Sequence, residues 1–178
     1  MKKSNCAFVV IKLKIGGEEW LIMRKNQHWK DINFVGGHQK SIDKGNNLRT
    51  AKRELQEEIP ALRTFKNYKL EKLTNNIEYG PVESKSARSK VEYNLQFYLV
   101  RFIESPNFLC KSLNNKSANI LISLKEIKSK NKFRISGLAD LLNLNFPGGL
   151  ESIPLSWPND LDVILSSLNN LQQEFAWN

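Results

Sequence analysis

The chain has 178 residues, 40% of them hydrophobic and 25% charged. That composition excludes an extended disordered polymer and sets the expectation of one globular domain with a buried core. Its formal net charge of +9 disfavours a cationic substrate and suits a nucleotide, another phosphate ester or RNA as well as it suits a merely solubilised surface.

No apolar stretch reaches the length of a membrane helix, and the early apolar run from Cys6 to Ile11 is shorter than a signal-peptide core. Cys6 and Cys110 are the only cysteines. Two such distant thiols form neither a disulfide framework nor a zinc site, so a reducing cytoplasm is the expected compartment.

In chain order, residues 6 to 14 (CAFVVIKLK) are β-branched and aromatic, which predicts a strand. Gly16-Gly17 predicts a turn, and Trp20 to Arg24 the second arm of a hairpin. Residues 26 to 33 read as a polar loop, and Phe34-Val35 leads into Gly36-Gly37. Another polar loop covers residues 38 to 46. A helix is predicted from an N-cap near Asn47 to about Ile59, with Leu48, Ala51, Leu55 and Ile59 as its apolar stripe and Pro60 as its stop.

Phe65 to Leu73 predicts a strand, and residues 83 to 90 (ESKSARSK) a basic loop. The alternation of Val91, Tyr93, Leu95, Phe97 and Leu99 predicts a long strand over residues 91 to 102 with one buried face. Asn119 to Ser123 is a short apolar strand. Leu124 to Lys130, Ser136 to Leu144 and Asp160 to Phe175 read as helices. Strands on both sides of one helix, with helices closing the chain, predict an α+β layered fold.

Arg53-Glu54-Leu55-Gln56-Glu57-Glu58 carries the chemistry. On a helix, Glu54, Glu57 and Glu58 fall within an arc of about 100°, beside the apolar stripe. Like charges at such spacing repel, and near a helix C-terminus the dipole opposes them further. A hard divalent cation with oxygen ligands would relieve both costs. A solvated, Glu-rich helix face is the plainer alternative.

The segment from Gly37 to Ala61 resembles the Nudix box, G-x5-E-x7-R-E-U-x-E-E-x-G-U, where U is a bulky apolar residue. Gly37 stands at its first glycine, Asp43 at its first acid, and Arg53, Glu54, Leu55, Glu57 and Glu58 match R-E-U-x-E-E. Trp29 to Gly37 resembles the family's run-in, and Thr50-Ala51 and residues 122 to 127 also resemble the family. The spacing from Gly37 to Arg53 is two residues longer than the pattern. Val35 replaces a proline, Pro60 the second glycine, and the stretch Ser117-Ala118-Asn119-Ile120 lacks a late carboxylate.

This resemblance implies a single Nudix-like domain over residues 1 to 178, an α/β/α sandwich with a mixed sheet, and a C-terminal helical extension over residues 131 to 178. It implies Mg²⁺ or Mn²⁺ held by Glu54, Glu57 and Glu58 with the carbonyl of Gly37, Glu54 as general base and Arg53 as a brace. The implied activity is cleavage of a diphosphate linkage in a nucleoside diphosphate-type substrate. A non-catalytic nucleotide-sensing module and an RNA 5′-end pyrophosphohydrolase are the alternatives. Arg24, Lys40, Arg88 and Lys90 are candidates to meet phosphate, with Lys85 adding to a basic cleft facing the helix. His28 and His38 are the only histidines, and His38, directly after Gly37, could touch a phosphate or merely lie in a surface loop. Tyr93, Phe97 and Trp29 could stack on a base or pack the core, and Glu92 and Glu126 could add metal ligands.

Overall fold

The computed structural model describes residues 2–15, 18–26, 31–63, 68–73, 75–84, 88–103, 118–123 and 153–154. The chain divides into two compact units, Met1–Val10 with Val35–Arg101, and Ile11–Phe34 with Phe102–Asn178.

In the first unit, the opening residues of β1 (Lys2–Ile15) have a neighbour on each flank. β7 (Ser89–Phe102) runs parallel to them from Lys2↔Val91 to Val10↔Leu99. β4 (Val35–His38) runs antiparallel from Cys6↔His38 to Val9↔Val35. The far side of β7 takes β6 (Ile77–Ser84) and β5 (Tyr68–Lys72). After β4 come a 3-10 turn (Ser41–Asp43), α1 (Asn47–Glu58) and a second 3-10 turn (Pro60–Arg63). The sheet is mixed, as the resemblance implies.

The second unit pairs the remainder of β1 with β2 (Glu18–Asn26), from Ile11↔Ile22 to Ile15↔Glu18. β2 also pairs with β3 (Asp31–Asn33) and with β8 (Asn119–Ser123). β9 (Ile153–Pro154) lies parallel to Leu13 and Lys14. Ile11, Leu13, Leu21, Ile22, Met23 and Ile122 are buried in this unit.

α1 starts as its sequence demands. Asn46 is the N-cap, and its side chain accepts from the Arg49 N–H at 3.1 Å. Ala51, Leu55 and Ile59 are buried, but Leu48, expected in the same stripe, is 44% exposed. Thr50 and Glu54 are buried instead. The packed face is turned toward these two polar residues: Thr50 bonds to Asp43 in the preceding loop, and Glu54 bonds to Arg53 while lying close to Gly37 of β4. Each large apolar side chain buried here contributes about 1.5–3 kcal/mol.

Three other expectations change. Residues 31–33 of the expected polar loop pair with β2, and Val35–His38 is a strand rather than a lead-in. β6 ends at Ser84 and β7 starts at Ser89, so the hairpin absorbs the flanks of the expected basic loop. Residues 95 to 100 of β7 are buried on both faces, where one was expected. The polar signal of Gln96 misleads there, because the Tyr98 hydroxyl donates to Gln96 Oε1 at 2.7 Å and the two groups satisfy each other in the interior. The helices expected over residues 124–130, 136–144 and 160–175, and the C-terminal extension they form, lie outside the described residues. Among the described residues, no helix is long and apolar enough to cross a membrane.

Candidate functional site

The site is assembled on the outer flank of β4. Gln39 N–H donates to the Asn5 carbonyl at 2.9 Å, which makes these two a hydrogen-bonded pair of the ladder. Alternation along an antiparallel pair then points the N–H and C=O of Gly36 and His38 away from β1. A strand edge left open in this way needs partners, and α1 supplies them. Glu58 Oε2 accepts from the Gly36 N–H at 3.0 Å, and Arg53 Nη2 donates to the His38 carbonyl at 3.0 Å. By the same alternation the Gly36 carbonyl faces this flank, while the carbonyl of Gly37 faces β1.

Both glycines are required by close approach. Gly36 has φ +148°, and a Cβ there would run into the backbone of Ala7 and Phe8. A Cβ on Gly37 would lie 2.9 Å from the carboxyl carbon of Glu54. The Glu54 carboxylate therefore rests against the strand backbone, and Glu54 is 8% exposed.

Arg53 is the hub. Its Nε and Nη2 form a two-pronged contact with Asp43, at 3.0 and 2.9 Å. Its Nη1 reaches Glu54, and also Glu57 at 3.2 Å. Asp43 is 2% exposed and accepts two further bonds, from the Thr50 hydroxyl at 3.0 Å and the Lys40 N–H at 2.8 Å. The Arg53 hydrogen bond, against the opposing cost of burial, holds the Asp43 carboxyl well below the usual carboxylate range. The same bond raises the Arg53 pKa. Asp43, which stands at the pattern's first acid, is a buried anchor that ties the loop to Arg53. The sequence signal that could have located this is Thr50 and Arg53 at i and i+3, facing one loop acid.

Of the expected phosphate ligands, Lys40 is bonded to an acid of α1. Its ammonium lies 3.5 Å from Glu57, with both side chains about half exposed, so the pair contributes little to stability. Arg24 lies on β2 in the other unit, opposite Asn33 and Asn119. Arg88 and Lys90 are exposed at the β6–β7 turn, where Lys90 is opposite Glu83. Neither bonds to α1 among the described residues. Glu92 pairs with Lys3 at 3.3 Å. Lys85, His28, Trp29 and Glu126 lie outside the described residues.

His38 has surroundings that sequence reasoning missed. Its Nδ1 lies 2.8 Å from Ser4 Oγ and 3.4 Å from Cys6 Sγ. Burial lowers the His38 pKa and pushes the Cys6 thiol up to about 11.

The donor set on this flank consists of oxygens: the carboxylates of Glu54, Glu57 and Glu58 and the outward carbonyl of Gly36. That is the chemistry a hard divalent cation takes, so the residues fit Mg²⁺ or Mn²⁺ in kind. Among the described residues, no three His, Cys, Asp or Glu side chains converge as a metal cluster. The cause is visible in the bonds, since Arg53 draws Glu54 and Glu57 to itself while Glu58 turns to Gly36.

No family model and no curated protein matches the sequence. Solved structures do match the fold. The Ap4A hydrolase of C. elegans superimposes with a TM-score of 0.52 at 15% identity, over 80% of this chain and 95% of that one. A Nudix hydrolase of Nitrosomonas europaea gives 0.52 at 13% identity, over 85% and 93%. The Nudix hydrolase RenU of M. smegmatis gives 0.50 at 10% identity, over 82% and 86%.

Proposed function

From the premise that this chain has the Nudix hydrolase fold, we propose that it is a metal-dependent Nudix-type hydrolase that cuts a diphosphate linkage in a nucleoside diphosphate-type substrate. The observation that carries this reading is the Arg53 hub. It joins Asp43, Glu54 and Glu57 on the flank of β4, with Glu58 on the backbone of Gly36. A structural helix face would not need three carboxylates gathered at the edge of a strand.

Glu54, Glu57 and Glu58 would hold Mg²⁺ or Mn²⁺, with the carbonyl of Gly36 in the place expected for that of Gly37. When bound, such an ion lowers the pKa of water and neutralises phosphate charge. The chain's own residues do the rest. Glu54, rigid against Gly37, takes the proton of the attacking water. Arg53 holds Glu54 and Glu57 in place and is itself held by Asp43. Lys40, beside Glu57, is placed to meet the charge of a leaving phosphate.

A sensing module is the second reading, favoured by the Arg53 contacts that occupy the carboxylates of Glu54 and Glu57. The deciding experiment is a screen of dinucleoside polyphosphates, nucleoside diphosphate sugars and 5′-triphosphorylated RNA with Mg²⁺ and with Mn²⁺, reading the released phosphate products. Turnover of any diphosphate compound supports hydrolysis. Tight metal-dependent nucleotide binding with no product after long incubation would overturn it in favour of sensing.

A further inference from the structure

The turn that joins β4 to α1 is pinned on one side and stands clear of the protein on the other. Asp43 pins it, through bonds from Lys40, Thr50 and Arg53. The two residues that follow lie in the left-handed region, Lys44 at φ +50° and Gly45 at φ +74°. A Cβ on Gly45 would meet no atom within 4 Å, so the glycine serves the backbone there and not a close approach. Asp43 keeps the pattern's distance from Gly37, so the extra length of this chain falls between Asp43 and Arg53, where Lys44-Gly45 make the turn.

This projecting turn and the helix beside it display side chains of two kinds. Ile42 is 70% exposed, the most of any large apolar side chain among the described residues, and Leu48 in the first turn of α1 is 44% exposed. Lys44, Arg49 and Lys52 are exposed as well, and none of them forms an ion pair with a described residue. The acids of the stretch do not offset them. Asp43 and Glu54 are buried, and the exposed Glu57 is already shared by Lys40 and Arg53. Water around an apolar side chain of this size is costly, and a pinned turn does not fold Ile42 away.

Charge and shape choose the occupant. A second copy of a chain with a net charge of +9 would bring like charge to like. Single-stranded nucleic acid is held by basic grooves with rings on which bases stack, and residues 39 to 64 contain no aromatic residue and no histidine. The rings of this unit lie elsewhere. Phe97 is stacked on Phe8 in the core at 5.4 Å, and half-buried Tyr93 stands 6.0 Å from His38. A projecting aliphatic tip with cations on its turn and on the adjoining helix suits a surface of anionic lipid. The tip enters the headgroup boundary while the cations stay with the phosphates.

We propose that this turn docks the protein on an anionic membrane surface, with Ile42 in the headgroup boundary and Lys44, Arg49 and Lys52 against lipid phosphates. One short tip and a few cations make a reversible, peripheral contact and not a span. The proposal goes beyond the hydrolase reading and does not rest on it.

The test is sedimentation of the full chain with vesicles of phosphatidylcholine and phosphatidylserine in equal parts, and with vesicles of phosphatidylcholine alone. The protein should bind the first at low salt, leave them as salt rises, and not bind the second. A cation beside an anionic surface is worth about fivefold in affinity. Lys44→Gln/Arg49→Gln/Lys52→Gln should therefore weaken binding by about 100-fold, and Ile42→Ser by on the order of tenfold. All four side chains are exposed, so the circular dichroism of both variants should match that of wild type. No binding to the anionic vesicles would overturn the proposal and leave the turn to a protein partner. Binding that Ile42→Ser leaves unchanged would also overturn it, as plain adsorption of a basic chain. So would an oligouridylate that binds more tightly than the vesicles and depends on the three cations but not on Ile42.

Discussion

Asp43 shows how one buried acid governs the geometry of its neighbours. It takes four bonds, two of them from Arg53, and without it the guanidinium would lose its two-pronged contact with the loop and keep the His38 carbonyl there. Asp43→Asn should destabilise the fold by on the order of 3 kcal/mol, because a largely buried charge loses its counter-ion. The sign of the pH dependence follows from the lowered Asp43 pKa. The native state binds fewer protons than the unfolded state, so this stabilisation is complete above about pH 4, the unfolded value, and fades as the pH falls further. Urea midpoints of wild type and Asp43→Asn should differ at pH 7 and draw together below pH 4. A gap that persists at acid pH would contradict the role assigned to the ion pair. At Glu54 the expectation concerns rate. Glu54→Gln fills the same space against Gly37 but cannot accept the proton, so turnover should fall by about 10²–10⁴-fold with the fold, read by circular dichroism, intact.

At the scale of the element, α1 is bound to the rest of its unit by two different faces. One is apolar, through Ala51, Leu55 and Ile59. The other is polar, through Thr50 and Arg53 to Asp43 and through Glu58 to the edge of β4. The resulting order of sensitivity differs from that of a simple apolar stripe. Leu55→Ala should cost about 2–5 kcal/mol, and Asn46→Ala about 1 kcal/mol through loss of the N-cap. Leu48→Ala should stay within about 0.5 kcal/mol, because Leu48 is 44% exposed. Denaturant midpoints of the three variants test the order, and a Leu48→Ala loss comparable to that of Leu55→Ala would place the helix in a different rotation.

For the whole molecule, an ion that binds the native state alone raises stability by mass action. At one hundred times its dissociation constant the gain is about 2.7 kcal/mol, or roughly 5–10 °C in Tm for a chain of this size. Mn²⁺ should raise the Tm of wild type by that amount and leave the Glu57→Gln/Glu58→Gln variant unmoved. An equal rise in both would show that the ion binds elsewhere, for which a chain with 18 Asp and Glu offers other places.

What the sequence by itself determined was local. The N-cap at Asn46–Asn47, the stop at Pro60, the long β7 strand and the clustering of Arg53, Glu54, Glu57 and Glu58 are all decided by residues within a few positions of one another, where propensity and periodicity act. The resemblance carried by the same segment correctly implied the mixed sheet and its likeness to Nudix hydrolase structures. Only the tertiary structure decided which strand edge the helix closes. That choice depends on the register of β4 against β1, and it turns the Gly36 carbonyl to the acidic flank and the Gly37 carbonyl away. It also makes Asp43 an anchor rather than an open ligand and brings Ser4 and Cys6 to His38 across more than thirty residues of chain. A hydrogen bond between distant segments leaves no period in the sequence, because it is set by which strands pair and in which register.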